Sequence, residues 1–125
     1  MDMELHSGID LIEVSRLRAA VERHGKRFLE RIFTPLELDE CGGQVGSLAG
    51  RFAAKEAAVK ALGCGIGVVS WQELEIHRGE NGKPVLCLYG AADRLAHACG
   101  LTGWSVSLSH THEYAIAIVV AVGLK

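Results

Sequence analysis

The chain has 125 residues, 49% apolar and 22% charged, with a formal net charge of −2. That length suits one domain spanning residues 1–125; the composition excludes a disordered or fibrous chain, and the slight acidity argues against nucleic acid as the main partner. The longest apolar run, Ala115 to Val122, is eight residues, far short of the roughly 20 that cross a bilayer as a helix.

The start, Met1-Asp2-Met3-Glu4-Leu5, lacks the basic region and apolar stretch of an export signal. A soluble, cytoplasmic protein with no membrane partner is expected. Cys41, Cys64, Cys87 and Cys99 stand 23, 23 and 12 positions apart, with no Cys-x-x-Cys pair, so reduced thiols are expected rather than a zinc ribbon or redox site.

In chain order, Ile9-Asp10-Leu11-Ile12 after Gly8 reads as a short strand with one acid among apolar neighbours. Ser15 is placed to cap a helix whose Leu17, Ala20, Val21 and His24 follow the i, i+3, i+4, i+7 rule. Gly25 ends or bends it, and Phe28, Leu29 and Ile32 suggest a further helical turn. Thr34-Pro35-Leu36-Glu37 is a capping box with proline at the first helical position, and Cys41-Gly42-Gly43 stops that short helix. The strongest helix runs from Ser47 to Leu62, with Leu48, Phe52, Lys55, Val59 and Leu62 in its stripe and Gly63 as its stop.

A strand follows around Leu74-Glu75-Ile76, then a reversal at Asn81-Gly82 and a returning strand, Val85 to Tyr89. Ala91 to Cys99 is helical. Trp104, Val106 and Leu108 alternate with serines as a half-buried strand, and Tyr114 to Val122 is apolar on both faces, hence central or interface-bound. Helices and hairpins come in blocks, which predicts an α+β fold with a mainly antiparallel sheet packed with helices.

Charge is unevenly placed. Residues 15–31 hold Arg16, Arg18, Arg23, Lys26, Arg27 and Arg31 against Glu22 and Glu30, and the rest of the chain is net acidic. This layout suits either an ordinary solvated helix face or docking of an acidic partner. If the helix is continuous, Arg16, Arg23 and Arg27 share a face at i, i+7 and i+11, with Phe28 as an apolar anchor.

Three features carry chemistry. Lys55 lies inside the apolar stripe, where it either snorkels from the core edge or serves a site. Beside it Glu56 and Lys60 form an i, i+4 pair, which an exposed ion-paired face would also contain. Asp10, inside an apolar strand, needs solvent, hydrogen bonds or a cation to stay charged. Asp10 and Glu56 together can supply two carboxylates to Mg²⁺, an ion that keeps several waters and takes substrate phosphates. Gly63, Gly65 and Gly67 either let backbone amides approach a phosphate or simply end the helix flexibly.

Gly8-Ile9-Asp10 and Phe52-Ala53-Ala54-Lys55-Glu56-Ala57-Ala58-Val59-Lys60 match the two signatures of holo-acyl-carrier-protein synthases, small trimeric bacterial members of the 4′-phosphopantetheinyl transferases. The chain resembles that family through Arg51, Gly63 to Gly67, Asn81-Gly82-Lys83-Pro84 and Ser107-Leu108-Ser109-His110-Thr111 as well, in order over nearly its whole length. The connection from Glu40 to Leu48 is a few residues shorter than usual in the family.

The resemblance implies a 4′-phosphopantetheinyl transferase-like fold, a homotrimer with active sites between subunits, and Mg²⁺-dependent transfer of phosphopantetheine from coenzyme A to a serine of acyl carrier protein. It implies Asp10 and Glu56 as metal ligands, with Glu56 taking the serine's proton directly or through a water, and Lys60 stabilising charge on the phosphate. Arg51, His110 and Thr111 would meet nucleotide phosphates, Lys55 would reinforce the pyrophosphate contact, and Gly63, Gly65, Lys83 and Pro84 would wall the coenzyme site. Arg16, Arg23, Arg27 and Phe28 would dock the carrier protein.

Two other functions stay open at this stage: a catalytically silent coenzyme A or carrier-protein binding module, and a metal-dependent phosphohydrolase. His110 and His112, at i, i+2, also share a strand face on which zinc can bind.

Overall fold

The computed structural model describes residues 2–124. Its elements are β1 (Met3–Glu13), α1 (Val14–Ile32), α2 (Pro35–Cys41), α3 (Val45–Leu62), β2 (Leu74–Arg78), β3 (Pro84–Leu88), α4 (Gly90–Ala98), β4 (Gly103–His110) and β5 (Tyr114–Leu124). β5 is the middle strand of an antiparallel sheet ordered β1-β5-β4, and β2 and β3 form a separate antiparallel hairpin. The α+β expectation holds.

α3 lies across the inner face of the three-stranded sheet. The apolar stripe told only part of its story, because Ala49, Ala53, Ala54, Ala57, Ala58 and Ala61 are buried as well. Short side chains on most faces let sheet and helix surround α3 closely. β1 comes closest to α3 at Gly8, where an added Cβ would stand 1.9 Å from the Ala57 carbonyl oxygen. Side chains alternate along a strand, so Asp10 shares the inner face with Gly8 and is carried to the same helix.

The expected strand at 9–12 extends to eleven residues. Its alternation is inverted: Met3, Leu5, Ile9 and Leu11 face outward and are exposed. Tyr114, Ile116 and Ile118 of β5 are exposed beside them.

The Thr34–Glu37 capping box is present in both directions, and Gly42 and Gly63 close α2 and α3 in the left-handed conformation. Ser15 does not cap α1; Glu13 is the N-cap, without a side-chain bond. The Val14 N–H donates instead to the Glu113 carbonyl at 2.8 Å, so the β4–β5 turn satisfies one of the helix's unpaired donors. Gly25 takes φ 64°, ψ −144° and kinks α1.

Candidate functional site

Asp10, Glu56 and Lys60 come together where β1 crosses the C-terminal half of α3. Lys60 Nζ donates to the Ile9 carbonyl at 2.8 Å and to Asp10 Oδ1 at 3.3 Å. The ion pair of Lys60 is therefore with Asp10, across 50 residues of sequence, in place of the expected i, i+4 pair with Glu56. Partial burial holds the Glu56 carboxyl above its ordinary pKa, and the Asp10 charge pushes the same way while Lys60 opposes both. A half-buried carboxylate with raised proton affinity is a good proton acceptor near neutral pH.

Two neighbouring carboxylates with a cation already resting on one of them suit a hard divalent ion, which takes one or two carboxylates and completes its shell with water and phosphate oxygens. Among the described residues no group of three or more His, Cys, Asp or Glu side chains is arranged to hold a metal. The rival zinc reading of His110 and His112 thus gains no third ligand.

A second group forms at the other end of α3. Ser47, Arg51, Arg78, Pro84 and His110 line a pocket of about 160 Å³ that also includes Ile76, Gly82 and Leu108. Arg51 is oriented from within the chain: Nε donates to the Ile76 carbonyl at 2.9 Å, Nη1 to Cys41 Sγ at 2.9 Å and Nη2 to Glu40 Oε1 at 2.7 Å. Glu40 also accepts the Arg78 backbone N–H at 2.8 Å. Three of the five guanidinium N–H groups are thus engaged, leaving two for a ligand.

Arg51 and Lys60 are nine positions apart, so at 100° and 1.5 Å per residue they lie on opposite faces of α3 and about 14 Å apart along it. One phosphate cannot touch both. The structure brings Arg51, Pro84 and His110 together, and separately Asp10, Glu56 and Lys60. Thr111 lies outside both groups; its Oγ1 accepts the Glu113 and Tyr114 N–H groups and shapes the β4–β5 turn. Gly63 and Gly65 follow Lys60 past the end of α3, and Lys83 borders the β2–β3 turn, next to the pocket's Gly82 and Pro84.

Lys55 sits in the core and not at either group. Its side chain is 0% exposed, and Nζ is 2.8 Å from Glu37 Oε1, itself 0% exposed. Nζ also donates to the carbonyls of Trp71 at 2.9 Å and Leu74 at 2.8 Å. Burial lowers its pKa and the Glu37 carboxylate opposes that shift. A fully enclosed ammonium with three acceptors is a structural strut tying α3 to α2 and β2; it replaces the coenzyme contact expected of this residue.

The basic residues also divide differently from the expectation of one continuous face. Arg23, His24, Arg27, Phe28 and Arg31 line an open cleft of about 760 Å³ around the Gly25 kink. Arg16 instead lines an apolar pocket of about 370 Å³ with Leu11, Leu17, Phe28, Phe52 and Tyr114. Phe28 borders both. Sequence reasoning missed Arg78, Ser47 and Glu40 in the arginine pocket and Arg31 in the basic cleft; of these only Arg31 carried a signal, its membership of the charge cluster.

A family model described as the 4′-phosphopantetheinyl transferase superfamily matches residues 7–119. A holo-[acyl-carrier-protein] synthase of Herpetosiphon aurantiacus is 48% identical over 126 residues, covering 95% of this chain and 99% of the relative. One from Dehalococcoides mccartyi is 51% identical over 117 residues, covering 94% and 98%. The crystal structure of the Helicobacter pylori holo-[acyl-carrier-protein] synthase in complex with coenzyme A superposes with a TM-score of 0.84 at 34% identity, covering 92% of this chain and 98% of that one. With the family model covering both the Asp10 strand and the Lys55–Lys60 helix, the chain belongs to the 4′-phosphopantetheinyl transferase superfamily.

Proposed function

We propose that the chain, as one domain, is a holo-[acyl-carrier-protein] synthase that transfers 4′-phosphopantetheine from coenzyme A to a serine of an apo acyl carrier protein, releasing adenosine 3′,5′-bisphosphate. The observation that carries this reading is the meeting of Asp10, Glu56 and Lys60 from two distant elements. The relatives' names and the coenzyme A complex of the Helicobacter pylori enzyme support it over a silent binding module or a phosphohydrolase.

In this reading Glu56 accepts the proton of the carrier serine as its oxygen forms a bond to the phosphorus bearing pantetheine. The anhydride bond to the adenosine bisphosphate breaks, and Lys60 stabilises the charge gathering on the phosphate. Asp10 and Glu56 would hold Mg²⁺, which supplies charge neutralisation for the pyrophosphate. Arg51 and His110 meet the nucleotide phosphates, with Pro84 and Gly82 forming a wall.

A homotrimer follows from the same resemblance. Two features support it: the exposed apolar face of β1 and β5, which exceeds what a solvated sheet usually shows, and the separation of the two side-chain groups. A cleft between copies can join Asp10, Glu56 and Lys60 of one to Arg51 and His110 of the next.

The test is the intact mass of an apo acyl carrier protein after incubation with this protein, coenzyme A and Mg²⁺. A gain of one phosphopantetheine is expected, lost on chelation and in Glu56→Gln. No gain on any carrier protein, with coenzyme A still bound, moves the reading to the silent module. The same variant should melt at a higher temperature than the wild type at neutral pH and equal concentration. The folded-state pKa of Glu56 lies above its unfolded value, so its ionised form subtracts stability above the folded pKa; that penalty fades as pH falls towards the ordinary value, 4.5. The melting difference should therefore shrink on acidification, and a variant that melts lower at neutral pH would contradict it.

The kinked helix is the proposed carrier-docking face, through Arg23, Arg27 and Arg31 around Phe28. Arg23→Glu with Arg27→Glu should raise KM for carrier protein roughly 10-fold or more at low salt and leave KM for coenzyme A unchanged. Steady-state kinetics at two salt concentrations check this, since the effect should weaken as salt rises.

A further inference from the structure

The two lysines of α3 differ in a way that bears on how the carboxylate pair fills. Lys55 is sealed, with its ammonium bound on all sides by Glu37 and two carbonyls. Lys60, one residue beyond the next turn, is 53% exposed along its side chain while its tip lies on Asp10, which is only 17% exposed. The tip is fixed by just two acceptors, the Ile9 carbonyl and Asp10 Oδ1. An exposed ion pair of this kind is weak enough to exchange, and its long flexible stem can turn outward without repacking.

We propose that Lys60 is the resident counter-ion of the Asp10–Glu56 pair, which a divalent cation must displace, so that the cation binds weakly until an anionic ligand draws Lys60 away. The inference rests on the metal-ligand reading of Asp10 and Glu56 given above. The ammonium takes up Asp10 Oδ1, and its charge repels a divalent ion approaching the remaining oxygens of the pair at such range. A coenzyme pyrophosphate removes the conflict, because its oxygens accept both the cation and the displaced ammonium. Cation and coenzyme then bind with positive coupling, each tightening the other by the same factor. Lys60 serves in turn as a placeholder for the metal and as a phosphate contact.

The experiment is titration of the full-length protein with Mn²⁺ alone, following free Mn²⁺ by electron paramagnetic resonance, for wild type, Lys60→Met, Lys60→Arg and Asp10→Asn. Without coenzyme A, Lys60→Met should bind Mn²⁺ about 10-fold more tightly than wild type, the scale of removing one like charge from a partly exposed site. Lys60→Arg should stay near wild type. With coenzyme A present, the wild type should gain Mn²⁺ affinity by a larger factor than Lys60→Met.

Equal or weaker Mn²⁺ binding by Lys60→Met, alongside binding abolished in Asp10→Asn, would overturn the placeholder and leave the carboxylate pair standing. Mn²⁺ binding that is indifferent to Asp10→Asn would overturn both.

Discussion

Gly8→Ala should cost about 3 kcal/mol of stability and at least roughly 100-fold in transfer rate, because the added methyl group falls where β1 meets the helix that carries the site. The added Cβ would fall 1.9 Å from the Ala57 carbonyl oxygen, with the Ala61 nitrogen 2.9 Å away. Both obstacles are backbone, so no side chain can rotate aside; strand or helix must shift. Overpacking of this kind usually costs about 1–3 kcal/mol, and backbone obstruction places this case at the upper end. The helix that has to retreat carries Glu56 and Lys60, and the strand that meets it carries Asp10. A displacement near 1 Å misplaces all three relative to one another, which is enough to reduce a positioned reaction about 100-fold. Urea denaturation and the mass assay read the two effects separately. Wild-type stability together with wild-type transfer in this variant would show that the contact does not set the site's geometry.

Lys55→Met should destabilise the fold by about 3–5 kcal/mol, the usual cost of removing one member of a buried ion pair. Glu37 would be left ionised and fully enclosed. Its Oε1 still accepts the Thr34 N–H at 2.9 Å and its Oε2 the Ile76 N–H at 2.8 Å, but no counter-charge would remain beside it. The double variant Lys55→Met, Glu37→Gln should be more stable than Lys55→Met alone despite carrying two changes, because it removes the orphaned charge. A denaturation double-mutant cycle tests this. A double variant that loses the sum of both single losses would show that the charges are not coupled and that the helix cap alone accounts for Glu37.

That pair also marks the boundary of what the sequence could convey. The capping box of α2 was readable because its two partners lie three residues apart, and the family signatures because their residues are contiguous. The link from Glu37 to Lys55 joins two separate helices, α2 and α3, and nothing in the local pattern at either position names the other. Lys55 therefore read as ambiguous between core and coenzyme. Asp10 and Lys60 belong to different signatures; each was identified, but their contact depends on how α3 crosses β1.

The inverted alternation of β1 explains why that strand read as only four residues. Its inward face carries Glu4, His6, Gly8 and Asp10, and its outward face carries most of the apolar side chains, the reverse of the half-buried pattern. The arginines failed for another reason: a helical wheel assumes one axis, and Gly25 gives α1 two.

The pairing of β1 with β5 has a consequence for how the protein is made. Met3 is registered against Leu124 and Asp10 against Ala117, so of the described strands the earliest made is completed by the latest made. Most of the intervening chain must be synthesised before that ladder can close, and a loop of this length makes closure late and slow. The Lys55–Glu37 strut also waits for Trp71 and Leu74 before its ammonium is fully enclosed. Asp10 on β1 can meet its basic partner on α3 earlier, but it acquires its fixed place only once translation has delivered β5.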